Sequence, residues 1–231
     1  MSELSLPEFP GLADRLAAVR EGVTDACRAA RRDPEDVTTI VVTKFHPAAL
    51  VRALAGLGVC DVGENRHQEA QEKAAELEDL GLNWHFVGQL QTKKARQAAR
   101  YAHAIHSIDR ARLIDALSDL ERPLDAFLQV NLTDDPGRGG IAADELESLA
   151  EHALQNPSLR LRGVMAVAPL DEEPARAFER LAGYSERVRA VAPEARDISA
   201  GMTHDYAEAI AAGATHLRIG SAITGNRPEP R

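Results

Sequence analysis

The sequence predicts an α/β fold, a single-domain (β/α)8 barrel of the TIM type with an extra N-terminal helix. Three observations lead there. Short apolar runs rich in β-branched residues alternate with longer amphipathic segments, the pattern of parallel strands joined by crossover helices. The runs number eight, and the 231 residues come close to the roughly 250 of a typical barrel. Polar, small and glycine residues gather directly after the runs, where this fold carries its function. A doubly wound open sheet uses the same alternation and is the competing architecture.

The strands are expected at Val37–Thr43, Val59–Val62, Trp84–Val87, Ala104–Ile108, Ala126–Val130, Leu161–Val167, Arg196–Ser199 and His216–Ile219. Each is short, apolar and bounded by polar or turn-forming residues. Helical periodicity fills the intervals, at Ala48–Leu57, Gln68–Leu80, Thr92–Tyr101, Arg110–Leu120, Asp144–Leu154, Pro174–Val191 and Tyr206–Ala212. The extra helix, Leu12 to Arg31, precedes the first strand. No linker divides the chain, so residues 1–231 read as one domain. Residues 1–11 and 226–231 read as flexible tails, the latter because Pro228 and Pro230 stop regular structure.

Composition excludes several classes of function. The formal net charge of −9 argues against nucleic-acid binding, which needs a surplus of Lys and Arg. It leaves room for one bound phosphate, which a few backbone N–H groups can hold. No stretch is long and apolar enough to span a membrane, and residues 1–11 lack the features of a signal peptide. Two cysteines, Cys27 and Cys60, without metal-type clustering, fit a reducing compartment, and a cytoplasmic protein is expected. His46, His85, His204 and His216 show no metal-ligand spacing, so no metal is expected.

The strand ends carry the candidate site. Lys44 directly ends an apolar run, where it is poorly placed for solvent. An amine deprived of water favours its neutral form and becomes a better nucleophile toward an aldehyde. A lysine that reaches out to water is the alternative. The turns after the last two strands, Ser199-Ala200-Gly201-Met202 and Gly220-Ser221, lie where this fold usually binds phosphate. Their glycines let backbone N–H groups approach an anion, and Ser199 and Ser221 add hydroxyls. Each glycine taken alone also fits an ordinary turn or cap. Arg218 alternates with Leu217 and Ile219 and so faces the other way. A guanidinium inside a strand needs a partner, which is either a ligand ring nitrogen or a carboxylate such as Glu64.

These residues together resemble the pyridoxal phosphate homeostasis proteins, single-domain relatives of the alanine racemase barrel. The resemblance rests on Val41-Val42-Thr43-Lys44, Val62-Gly63-Glu64-Asn65 with Gln68-Glu69, Trp84–Gln91 with Lys93, Ile105-His106-Ser107-Ile108, Gln129-Val130-Asn131, Leu161–Met165, Ser199–Met202 and Arg218–Gly225. It covers nearly the whole chain. It implies that Lys44 forms an internal aldimine with pyridoxal 5′-phosphate (PLP). It implies that Ser199, Gly201, Met202, Gly220 and Ser221 hold the phosphate, that Arg218 approaches the pyridine nitrogen, and that Asn65 lies near the ring. The chain departs from the family pattern at Arg66, where an aromatic is usual, at Arg138-Gly139-Gly140, where a lysine-containing loop is usual, and at Ala200.

The function implied is a non-catalytic one, a PLP reservoir or carrier that transiently serves apo PLP-dependent enzymes. Related racemases add a second domain that supplies a tyrosine acid–base, and the chain is expected to lack one because it ends at Arg231. The competing readings are a slow amino-acid racemase or decarboxylase with Lys44 as its only base, and an aldolase with a Schiff-base lysine. A monomer is expected.

Overall fold

The computed structural model describes residues 9–133 and 135–226. Eight parallel strands close into a barrel in sequence order, each hydrogen-bonded to the next and the first to the last. The strands are β1 Thr38–Val42, β2 Asp61–Glu64, β3 Asn83–Phe86, β4 Ala102–Ile108, β5 Leu124–Gln129, β6 Leu159–Met165, β7 Asp197–Ser199 and β8 His216–Ile219. The open-sheet alternative is thereby excluded. The helices around them are α1 Leu12–Ala29, α2 Ala48–Gly56, α3 His67–Glu76, α4 Ala95–Tyr101, α5 Ala111–Ala116, α6 Leu146–Leu154, α7 Pro174–Val191, α8 Tyr206–Ala211 and α9 Ser221–Thr224. No helix among the described residues is long and apolar enough to cross a membrane.

The N-terminal helix α1 packs against α8 and α9, covering the seam where β8 meets β1. Leu12, Leu16, Val19, Val23 and Cys27 recur at helical spacing and form its buried stripe. The chain before it does not begin as a free tail throughout: Phe9 packs on the core and its carbonyl accepts from the Leu12 N–H at 3.1 Å. Of the other expected tail, Asn226 is exposed, and residues 227–231 lie outside the described residues.

Strand alternation separates two environments. Outward positions such as Val41, Val62, Phe86, Ile105, Leu128, Val164 and Leu217 join the helices in one large apolar layer. The barrel interior holds a small apolar cluster, Ala104, Phe127 and Met165, with Ile40 and Val42 also facing inward beside Gly63. Polar groups share that interior: His85, His106, Ser199 and Arg218 are all buried. Such groups persist inside a fold only when they bond one another.

The second strand starts and ends later than its apolar run. The expected Val59–Val62 is displaced to Asp61–Glu64, with Gly63 paired opposite Val42 and Glu64 opposite Phe86. Hydrophobicity ends at Val62, but the ladder continues because Glu64 has buried partners, described below.

Candidate functional site

The C-terminal ends of the strands bring most of the expected residues to one mouth. β1 pairs with β8 through Ile40 opposite Arg218 and Val41 opposite Ile219. The turn that carries Lys44 therefore stands beside the one that carries Gly220 and Ser221. A Cβ added at Gly220 would lie 3.4 Å from the Val42 carbonyl oxygen, so the two turns touch closely.

Lys44 is exposed, which corrects the expectation that the strand end withdraws it from water. The reason is local. β1 stops at Val42, the fully buried Thr43 follows, and the chain turns sharply at Phe45, whose φ is +70°. That turn leaves the Lys44 side chain exposed, with its Nζ 5.8 Å from the centre of the Phe45 ring. A positive φ at a non-glycine residue is costly and must be held by its surroundings.

The surroundings are a buried charge network that sequence reasoning did not assemble. Glu69 and Lys73 lie one turn apart on α3 and face the barrel. The Lys73 ammonium donates to Glu64 Oε1 at 2.7 Å, Glu69 Oε1 at 2.7 Å and the Thr43 carbonyl at 2.9 Å. Thr43 Oγ1 donates to Glu64 Oε1 at 2.7 Å, and the Phe45 N–H donates to Glu69 Oε1 at 2.6 Å. Both sides of Lys44 are thus pinned. Burial pushes the Glu64 carboxyl above its usual pKa, opposed by the charge and hydrogen bond of Lys73. Arg66, at a position where the family usually has an aromatic, places its guanidinium 4.9 Å from the centre of the Phe45 ring.

Asn65 follows β2 at the same mouth. Its backbone is pressed against Gly88, where an added Cβ would come within 2.2 Å of the Asn65 carbonyl oxygen. Its Oδ1 is buried without a hydrogen-bond partner among the described residues. A buried acceptor left unpaired is rare in proteins and fits a donor supplied by a ligand.

Arg218 is buried and points into the barrel. It does not pair with Glu64, one of the two partners considered for it. Its Nη1 donates to Ser199 Oγ at 2.7 Å and its Nη2 to the Ala166 carbonyl at 2.8 Å. A guanidinium carries five N–H donors, so donors remain beyond these two bonds. Burial pulls its pKa down to about 10, with Asp205 opposing, and the group stays charged at neutral pH.

The phosphate turns differ in detail from expectation. Ser199 is fully buried with its hydroxyl between Arg218 and His106, so it braces the arginine and does not face the mouth. Its place beside Ser221 is taken by Thr203, whose Oγ1 lies 3.4 Å from Ser221 Oγ. The Met202 N–H donates to Asp205 Oδ1 at 2.5 Å, so it is already committed. Gly201 has φ +90° and packs on Tyr206 and Ala209, tightening the turn into α8. Gly220 and the exposed Ser221 open α9. The Arg138-Gly139-Gly140 loop, where the family pattern has a lysine-containing loop, is tied back to its strand: the Ile141 N–H donates to Gln129 O and the Asn131 N–H to Ile141 O, both at 2.9 Å.

Sequence reasoning also missed His106, Lys73 and Thr203. His106 was visible only as part of a matching segment, and its partners are far away in sequence.

Comparison with known proteins places this geometry. The profile of the alanine racemase N-terminal domain matches residues 15–228. A pyridoxal phosphate homeostasis protein of Pseudomonas aeruginosa is 40% identical over 220 residues, spanning 94% of this chain and 96% of the relative. One of Escherichia coli is 36% identical over 226 residues, spanning 94% and 97%. Among solved structures, PipY of Synechococcus elongatus with PLP bound superposes with a TM-score of 0.80 at 34% identity, covering 93% of this chain and all (100%) of that one. An alanine racemase of Corynebacterium glutamicum, 14% identical with a TM-score of 0.68, shares the fold and is covered over 60% of its length. The chain belongs to the pyridoxal phosphate homeostasis protein family.

Proposed function

We propose that this protein binds PLP at the barrel mouth, covalently through the Lys44 amine, and acts as a reservoir or carrier of the cofactor inside the cell. The observation that carries the reading is the buried, braced guanidinium of Arg218 beside the turn that presents Lys44. PLP has an aldehyde, a pyridine nitrogen and a phosphate. The mouth offers an amine, a fixed cationic donor and, at Gly220, Ser221 and Thr203, a polar turn pair for the phosphate. The unpaired Asn65 Oδ1 gives the ring region a further polar contact. PipY, of similar sequence and fold, has been solved with PLP bound.

Bound PLP supplies a conjugated ring that can accept electrons, and a permanently charged Arg218 at its nitrogen disfavours the protonated, stronger sink. The positions of the tyrosines also favour a carrier. Tyr206 directs its hydroxyl at α1, where a Cβ on Gly22 would lie 2.4 Å from it. Tyr101 stacks on His67 between α3 and α4, and burial pushes its pKa up. Tyr184 lines a separate open cavity of about 1210 Å³ with Asn131, Arg138, Leu170 and Arg180, whose lining includes neither Lys44 nor Arg218.

The recipients of the cofactor would be apo PLP-dependent enzymes, met transiently. Val167, Leu170 and Met202 expose apolar side chains on the loops after β6 and β7, a surface suited to brief contacts. The net charge of −9 disfavours nucleic acid as a partner, two free cysteines accord with the cytoplasm, and the protein would act as a monomer.

An absorbance scan with PLP, before and after borohydride, tests the reading in wild type and Lys44→Ala. A visible band that borohydride fixes covalently in wild type and that Lys44→Ala lacks is the expected result. Absence of the band in wild type would sink the PLP reading. Turnover of D- or L-amino acids by the loaded protein would favour the racemase.

A further inference from the structure

An unbroken run of hydrogen bonds crosses the barrel interior from the mouth to the opposite end. Arg218 Nη1 donates to Ser199 Oγ at 2.7 Å. Ser199 Oγ lies 2.8 Å from His106 Nδ1, His106 Nε2 lies 2.9 Å from His85 Nδ1, and His85 Nε2 lies 3.0 Å from Asp61 Oδ1. Five strands contribute one residue each. Asp61 begins β2, at the end of the barrel away from the mouth, and its side chain is 25% exposed.

The two ends of this run have opposite hydrogen-bonding characters. Arg218 can only donate, and an ionised Asp61 can only accept. Burial alone would raise the Asp61 carboxyl, but hydrogen bonds from His85 and Asn83 outweigh it and its pKa lies below the usual value. His106 is completely buried, and burial above all, with the Arg218 charge nearby, holds its pKa well below the usual value. With neutral rings, only one assignment satisfies all four bonds. Ser199 donates to His106 Nδ1, His106 donates from Nε2 to His85 Nδ1, and His85 donates from Nε2 to Asp61. Turning any one group round leaves two donors or two acceptors facing each other elsewhere in the run.

The plane of the central ring is fixed as well. Phe127 stacks on His106 with centroids 4.3 Å apart and planes 11° from parallel. The run is therefore determined in position, and with both rings neutral and Asp61 ionised in proton order as well.

We propose that Asp61, His85, His106 and Ser199 are positioning residues for Arg218, orienting its guanidinium as an obligate donor toward the ring nitrogen of PLP. The proposal rests on the PLP reading above. It adds that the anchor of this orientation lies at the far end of the barrel, several residues from any ligand. Removing one link is expected to weaken PLP binding roughly tenfold, the worth of one charge-assisted hydrogen bond.

Nitrogen NMR of the histidine rings in the ligand-free protein tests the proton order directly. His106 is expected as a neutral ring protonated on Nε2, and a His106 ring protonated on Nδ1 overturns the assignment. Asp61→Asn keeps the shape and removes the charge. It should shift the ring nitrogens of His106 as well as His85, and a change confined to His85 overturns the continuity. With labelled PLP, Ser199→Ala should move the pyridine nitrogen resonance while attachment to Lys44 survives, and Ser199→Thr should restore it. An unmoved resonance with attachment intact overturns the positioning role alone. A wild-type protein that takes up no PLP overturns this role and the PLP reading together.

Discussion

The Lys73 ammonium and the Glu64 carboxylate meet at 2.7 Å with almost no access to solvent, their side chains 7% and 1% exposed. Breaking a buried pair strands one charge, which typically costs about 3–5 kcal/mol. Lys73→Met should therefore lower the unfolding free energy by about that amount, read from urea denaturation. Glu64→Gln with Lys73→Met should recover much of it, because the stranded carboxylate is gone. A Lys73→Met protein as stable as wild type would show that the pair does not hold the Lys44 turn.

Acid should destabilise this barrel from its interior. Burial holds His216 down to about 4 and His106 well below its usual range. An unfolded histidine titrates near about 6.5, so below that the unfolded chain binds protons that the folded chain refuses. The stabilising effect is complete above about 6.5 and is lost as pH falls toward about 4 for His216, and lower for His106. Each such group adds up to about 1.4 kcal/mol per pH unit over its window. Melting temperature should drop steeply across that range, and His216→Asn should flatten the profile.

Gly88 leaves no room for a side chain. A Cβ there would sit 2.2 Å from the Asn65 carbonyl oxygen and 2.7 Å from its Cα, which are backbone atoms that cannot swing aside. Gly88→Ala should displace Asn65 from the mouth. We expect PLP affinity to fall by at least about tenfold, with a stability loss of about 1–3 kcal/mol typical of overpacking. Equilibrium titration of PLP alongside thermal unfolding separates the two effects.

The sequence showed the barrel clearly because strand and helix periodicities alternate without interruption, and β8 begins and ends at the residues expected for it. It showed less where a polar residue continues an element. Glu64 ends β2 although the apolar run stops at Val62, because the charge that admits it comes from Lys73 on the following helix. The same kind of distant partner explains Ser199. Its place at the start of a glycine-bearing turn suggested a phosphate ligand, but a side chain 93 positions away, His106, claims the hydroxyl from inside the barrel. Strand parity made Arg218 legible as inward-facing. The identity of its partners depended on which strands become neighbours, and no local pattern records that.

The order in which the chain is made gives barrel closure a further meaning. β1 is among the first elements synthesised and β8 among the last, yet their pairing sets Lys44 beside Ser221. The Arg15 Nε bond to the Ile223 carbonyl, at 2.8 Å, then clasps the two ends of the fold together. Until β8 arrives, His106 and Ser199 lack the cation that completes their hydrogen bonds. A growing or truncated chain therefore has an amine but no seat for the cofactor. Loading with cofactor becomes a signal that the barrel has closed, and a ligand that binds only the closed form also protects it from unfolding.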